Sequence, residues 1–253
     1  MALQEELETQ GNFLFRWRTY IPGLILILSF YFVSQYSYVG FRYANHLLWV
    51  GFCIFVSMIG FFVRAFTIGF TPRDTSGRNT KEQVASTVNN TGIYSWIRHP
   101  LYVGNFFLYF GVVLIPMSFT FAVIYILFFF LYYERIAYAE EQFLRKKFGE
   151  AYTSWANATP AVLPNFRNYR KPPLSFSLKN VIKREYPTFF GVLFVFLVYD
   201  VITLYLNFPV LAVGGVVDLL QAHHWIWLGV SLGGYAVCRI LVKFTKVLVV
   251  EGR

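Results

Sequence analysis

The sequence predicts an all-α, polytopic membrane protein, and three observations carry that reading. Of its 253 residues, 57% are hydrophobic and only 14% charged, whereas a soluble domain carries about 25% charged residues. Runs such as "IPGLILILSFYFV" and "LLWVGFCIFVSMIGFFV" are too long and too uniform for an ordinary core. The cations gather in alternate connections between such runs. The net charge of +9 would suit a nucleic-acid binder only if those positions were ignored, so no nucleic-acid partner is expected.

The elements follow in order. The polar, acidic start "MALQEELETQ" predicts a short interfacial helix and shows no cleavable signal peptide. Apolar spans fall near 21–38, 45–66, 101–115, 117–133, 187–206 and 225–247, about six in all. A helix needs about 20 residues to cross the hydrocarbon core. The third and fourth spans are short and flank Pro116, which predicts a tight helical hairpin that just reaches across. The polar segments 67–98 and 134–186 are long enough to fold into structure of their own. The chain thus divides into 1–79, an N-terminal helical hairpin with a basic loop; 80–186, a core; and 187–253, a C-terminal hairpin. Cys53 and Cys238 lie in apolar runs without metal-site spacing, so they read as buried small hydrophobes and no metal site is expected.

The connections near 39–44, 116 and 207–224 hold a single basic residue, Arg42. The opposite ends carry clusters that include Arg16, Arg18, Arg145, Lys146, Lys147, Lys243 and Lys246. By the positive-inside rule, both termini and both long polar segments are cytoplasmic, in the inner membrane if the host is bacterial. Taken singly, most of these cations are explained by topology and by anionic headgroups.

One stretch asks for more: "NNTGIYSWIRHPLYVG". Pro100 suits the first turn of a helix, which places Arg98 and His99 just outside it. A helix start offers free N–H groups and the positive end of the dipole. With Arg98 and a His donor, this end suits a carboxylate or phosphate; an interfacial anchor is the bland alternative. Beyond the hairpin, "YYERIAYAEEQFLRKKFGEAYTSWANATPAVLP" puts Glu134, Arg135, Glu140 and Glu141 at the membrane edge. Carboxylates there are costly unless paired or wet. Glu141 with Arg145 has the i,i+4 spacing of a solvated helical pair, but that leaves Glu140 unexplained. Because a hairpin returns to its starting face, His99 and Glu140 should be neighbours.

The combination of "TGIYSWIRHPLYVG", a hairpin, "EEQFLRKKFGEAY" and "TPAVLP" resembles the isoprenylcysteine carboxyl methyltransferase and phospholipid methyltransferase superfamily over about residues 80–166. These are integral-membrane enzymes that use S-adenosylmethionine. The resemblance implies that His99, Pro100, Leu101 and Tyr102 line the cofactor pocket. It also implies that Ser86, Thr87, Val88, Asn89 and Tyr94 contact the cofactor, and that Glu140 is its acidic ligand. Arg98, Arg135 and Glu141 are the candidate catalytic residues. Tyr94, Trp96 and Tyr102 offer aromatic walls for adenine and the sulfonium. Relatives acting on prenylcysteine carry an arginine four residues before the glutamate; here that position is Ile136 and the arginine is Arg135. Ile93 and Ser95 replace the family's proline and arginine in the "TGPYR" pattern.

The acceptor expected is a lipid or lipid-anchored substrate entering from the bilayer. Arg73, Arg78 and Lys81, with Arg167, Arg170 and Lys171, favour an anionic headgroup, since Arg matches phosphate oxygens well. Among relatives the bacterial lipid A 1-phosphate methyltransferases are the best match in kind. Methylation of a prenylcysteine carboxylate or of phosphatidylethanolamine stays open, as does an NADPH-dependent sterol-type reductase. Pro100 and the glutamate pair favour the methyltransferase over the reductase. A scaffold without activity would leave Glu140 unexplained.

Overall fold

The computed structural model describes residues 2–72, 83–207, 220–250 and 252. They form eight α-helices: α1 (Leu3–Trp17), α2 (Pro22–Ser34), α3 (Tyr43–Phe70), α4 (Pro100–Val113), α5 (Phe119–Phe148), α6 (Glu150–Ala158), α7 (Leu178–Asn207) and α8 (Ala222–Phe244). No strand occurs among the described residues. Four helices, α3, α5, α7 and α8, are long and apolar enough to cross a membrane, and the bent pair α1–α2 makes up to five.

The expected count of about six therefore shortens to four or five by length. The first and third apolar runs yield α2, with 13 residues, and α4, with 14. At 1.5 Å per residue these reach only about 20 Å of the roughly 30 Å hydrocarbon core. Both are cut short at their ends. Pro22 opens α2 after a turn that sets it 73° from α1. The α4–α5 connection contains Met117 with a φ of 50°, and Ser118 then caps α5 by accepting from the Phe121 N–H at 3.2 Å.

Two contacts position the site. On α3 and α4, small residues let the backbones meet: a Cβ on Gly60 would lie 2.3 Å from the Gly104 carbonyl, and one on Gly111 would lie 2.3 Å from the Cys53 carbonyl. Helix α1 crosses α5 as tightly, since a Cβ on Gly11 would lie 2.1 Å from the Arg135 carbonyl. An aromatic core of Phe15, Phe121, Tyr125, Phe129 and Ile136 fills the space behind α4 and α5. Helix α7 begins against the end of α3: Asn180 donates to the Ile68 carbonyl at 2.9 Å, and the Ser177 N–H to Gly69 at 2.9 Å. The boundary expected between 186 and 187 falls inside α7, which continues through Pro187. The one at 79–80 lies outside the described residues.

Candidate active site

The start of α4 and the end of α5 meet as a hairpin requires. His99 Nδ1 lies 3.9 Å from Glu140 Oε2, and His99 Nε2 lies 2.9 Å from Glu141 Oε1. No side chain caps α4; the Tyr102 N–H donates to the His99 carbonyl at 3.1 Å. The residues ahead of it are strapped by the chain after α6. The Arg98 N–H donates to the Pro160 carbonyl at 2.9 Å, the Asn165 N–H to Trp96 at 2.9 Å, and the Trp155 indole to Tyr94 at 3.1 Å. The "TPAVLP" segment thus fixes the "RHP" turn.

These elements enclose a cavity of about 590 Å³, within the roughly 300–1,000 Å³ typical of small-molecule sites. Its wall takes Thr87, Val88, Asn89 and Tyr94 from the preceding loop, Arg98 to Tyr102 from the α4 start, and Glu140 from α5. The Tyr102 ring stacks on His99 at 5.3 Å with 9° between planes. Its hydroxyl is buried against Glu140, whose carboxylate is placed to accept from it. Burial, and then the Glu140 charge, push the Tyr94 phenol above its ordinary range. Burial, followed by the Glu141 charge, does the same to Tyr152. Both stay protonated hydrogen-bond donors at neutral pH.

Several expected residues sit elsewhere. Ser86 is exposed and does not line the cavity. Trp96 packs edge-on against Phe166 at 5.1 Å and against Tyr169 at 5.4 Å, as part of the strap and not as an adenine wall. Arg135 is turned toward α1, where its Nε donates to Gln10 at 3.0 Å and a terminal nitrogen to the Leu131 carbonyl at 3.1 Å. One residue rotates a helix by about 100°, and Ile136 is accordingly fully buried in the aromatic core. Glu141 does not line the cavity. It engages His99 and, at 3.3 Å, Arg98 in place of the expected Arg145. Arg73, Arg78 and Lys81 lie outside the described residues.

The structure also brings in residues that the sequence reading left out. Arg64, in the middle of an apolar run, is clamped by Glu185 through two bonds of 2.8 Å, and its third contact is Asn105 at 2.5 Å. Asn105 in turn donates to the Tyr133 hydroxyl at 2.9 Å. All four side chains line the cavity. Arg18, from the α1–α2 turn, reaches Glu140 at 3.8 Å. An ionisable residue within a membrane helix is by itself a functional signal, and Arg64 carries it.

An all-helical integral-membrane protein with a polar cavity where its helices end is the class defined so far. Residues 46–151 match the phospholipid methyltransferase family, consistent with the isoprenylcysteine and phospholipid methyltransferase superfamily that the motifs resemble. The matched stretch runs from α3 through α5 and includes His99, Glu140 and Glu141. Over 95 residues, 38% of this chain, the sequence is 38% identical to the nickel-cobalt-cadmium resistance protein NccN of Alcaligenes xylosoxydans xylosoxydans. That alignment spans 42% of the relative's length. No solved structure matches.

Proposed function

We propose that this protein is an S-adenosylmethionine-dependent methyltransferase that O-methylates an anionic, membrane-embedded headgroup such as the 1-phosphate of lipid A. The observation that carries it is the meeting of His99 and Glu140, 3.9 Å apart, in a cavity of about 590 Å³ that ends at apolar helices. The residues fit the cofactor. The uncapped α4 start and His99 suit its carboxylate, Glu140 suits its cation or ribose diol, and Tyr102 supplies a buried hydroxyl beside Glu140. When bound, the cofactor supplies a methyl group already activated for transfer. The chain's own work is alignment and exclusion of water, and alignment of this kind supplies roughly 7–11 kcal/mol. Glu141 orients His99, Tyr94 donates as a neutral phenol, and the Arg64–Glu185 pair fixes the cavity wall.

The acceptor reading rests on charge. Arg18, Arg98 and Arg184 line the cavity, and the sequence adds Arg73, Arg78 and Lys81 in the preceding loop. A phosphate acceptor is ionised at neutral pH and needs no general base. Ile136, at the position of the prenylcysteine-type arginine, weighs against a prenylcysteine acceptor. The test is transfer from labelled S-adenosylmethionine to purified phosphorylated lipid, its dephosphorylated form, phosphatidylethanolamine and a farnesylcysteine analogue. Transfer confined to the phosphorylated lipid, weakened roughly 10- to 150-fold in acceptor affinity by Arg78→Gln, supports the proposal. Transfer to farnesylcysteine, or equal transfer to lipid stripped of phosphate, removes it.

A further inference from the structure

At the far end of α3 from the cavity lies a second polar cluster that the methyl-transfer chemistry does not use. Tyr43 and Arg64 are 21 residues apart on one helix, roughly 31 Å at 1.5 Å per residue, so this cluster belongs to the opposite membrane face. Its centre is Asp200 of α7, which is fully buried. Glu185 at the cavity is answered by Arg64, whereas the side chains recorded around Asp200 are imidazoles, a phenol and a hydroxyl. His46 Nε2 is 2.9 Å from Oδ1; His224 Nε2 is 2.9 Å, and the Tyr43 hydroxyl 2.9 Å, from Oδ2. A buried carboxylate is costly unless its charge is answered, and His46 and His224 answer it with a charge only when protonated.

From this geometry we infer a binding site for a divalent transition-metal ion formed by Asp200 Oδ2, His223 Nε2, His224 Nε2 and the Tyr43 oxygen. A tetrahedral ion with N and O ligands at about 2.0–2.1 Å holds them about 3.3 Å apart. Five of the six separations here are 2.9 Å (Tyr43–Asp200), 2.9 Å (His224–Asp200), 3.0 Å (Tyr43–His223), 3.4 Å (Tyr43–His224) and 3.9 Å (His223–Asp200). For the sixth pair, His223 and His224 each offer a ring nitrogen within 4.8 Å of the other's. The ligand atoms are thus already close to the corners an ion would need. Two imidazoles with hard oxygens suit zinc, cobalt or nickel better than calcium or magnesium. His46 holds the other Asp200 oxygen, and Tyr36 in turn holds His46 Nδ1 at 3.1 Å, the outer support that metal-ligating carboxylates carry. His224 Nδ1 accepts the Gln221 N–H at 3.0 Å. On loading, the His224 proton moves from Nε2 to Nδ1 and that contact is given up, and the Tyr43 phenol releases its proton to solvent as its oxygen binds the ion. His223, the ligand whose side chain is 40% exposed, gives the ion its entry.

The full chain in detergent, stripped with a chelator, is titrated with Co²⁺. One equivalent should give the intense visible absorption of a four-coordinate Co²⁺ centre, bleached by Zn²⁺. His223→Ala and Tyr43→Phe should each weaken Co²⁺ binding at least about 10-fold, and His46→Asn, acting through Asp200, by about 10- to 100-fold. His99→Ala should leave it unchanged. The exposure of His223 makes its variant safe for folding, which size-exclusion elution checks. Absence of the four-coordinate spectrum, its persistence in His223→Ala, or its loss in His99→Ala would overturn the site.

Discussion

His99 Nε2 lies 2.9 Å from Glu141 Oε1, while Glu140, one residue earlier, faces the cavity. Adjacent carboxylates on one helix thus hold different positions. The proposed function gives Glu141 a positioning role behind His99 and leaves Glu140, which lines the cavity, to the ligand. Glu141→Gln keeps an acceptor and loses the charge, so it should weaken cofactor affinity by about 1–2 kcal/mol through His99. Glu141→Asp should restore part of that, whereas Glu140→Asp should not restore what Glu140→Ala loses. Calorimetric titration of the four variants checks this; equal losses at 140 and 141 would contradict the division of roles.

Arg64 and Glu185 form a buried, bidentate pair. Removing one partner strands the other's charge, which costs about 3–5 kcal/mol, whereas replacing both by apolar residues of similar size costs much less. Arg64→Met and Glu185→Met should therefore each lower the unfolding midpoint sharply, and the double variant should recover most of it. Additive losses in a double-mutant cycle would show that the pair is not coupled.

The α3–α4 crossing allows a sharper stability test. Gly60→Ala puts a Cβ against the Gly104 backbone, while Gly51 has nothing within 4 Å of its Cβ. Overpacking at Gly60 should cost about 1–3 kcal/mol, and because α4 carries His99 it should also reduce cofactor affinity. Gly51→Ala should be neutral or stabilising by up to about 1 kcal/mol. Reversal of that order in thermal unfolding would refute the close crossing.

Much of this was legible in the sequence where a local rule governs. Pro100 at a helix start, the hairpin around Pro116 and the approach of His99 to Glu140 all follow from short-range geometry and membrane dimensions. What was not legible depends on helix rotation and long-range pairing. Arg135 and Ile136 differ by one position, yet one faces α1 and the other the core, and only the packing of α1 through Gly11 decides which. Glu141 has a plausible local partner in Arg145, and the stronger pairing with His99 is 42 residues distant. Arg64 and Glu185 are 121 residues apart, and nothing near either announces the other. His46, Asp200 and His224 converge in the same way, from three helices.

The basic residues predict cytoplasmic termini and polar segments, and labelling tests that orientation. Cysteines placed singly at Asn168 and Gln221, in a background lacking Cys53 and Cys238, should differ toward an impermeant reagent in intact cells. Only position 221 should react. Labelling at 168 would invert the topology and move the cavity to the outer face.

The central claim is that the His99–Glu140 cavity binds S-adenosylmethionine, and calorimetric titration of the purified parent protein in detergent tests it most directly. The account predicts one cofactor bound per chain, with affinity weakened at least about 10-fold, or about 1.4 kcal/mol, in both His99→Ala and Glu140→Ala while the variants remain folded. Unchanged affinity in both variants, or tighter binding of NADPH than of S-adenosylmethionine by the parent, would contradict it.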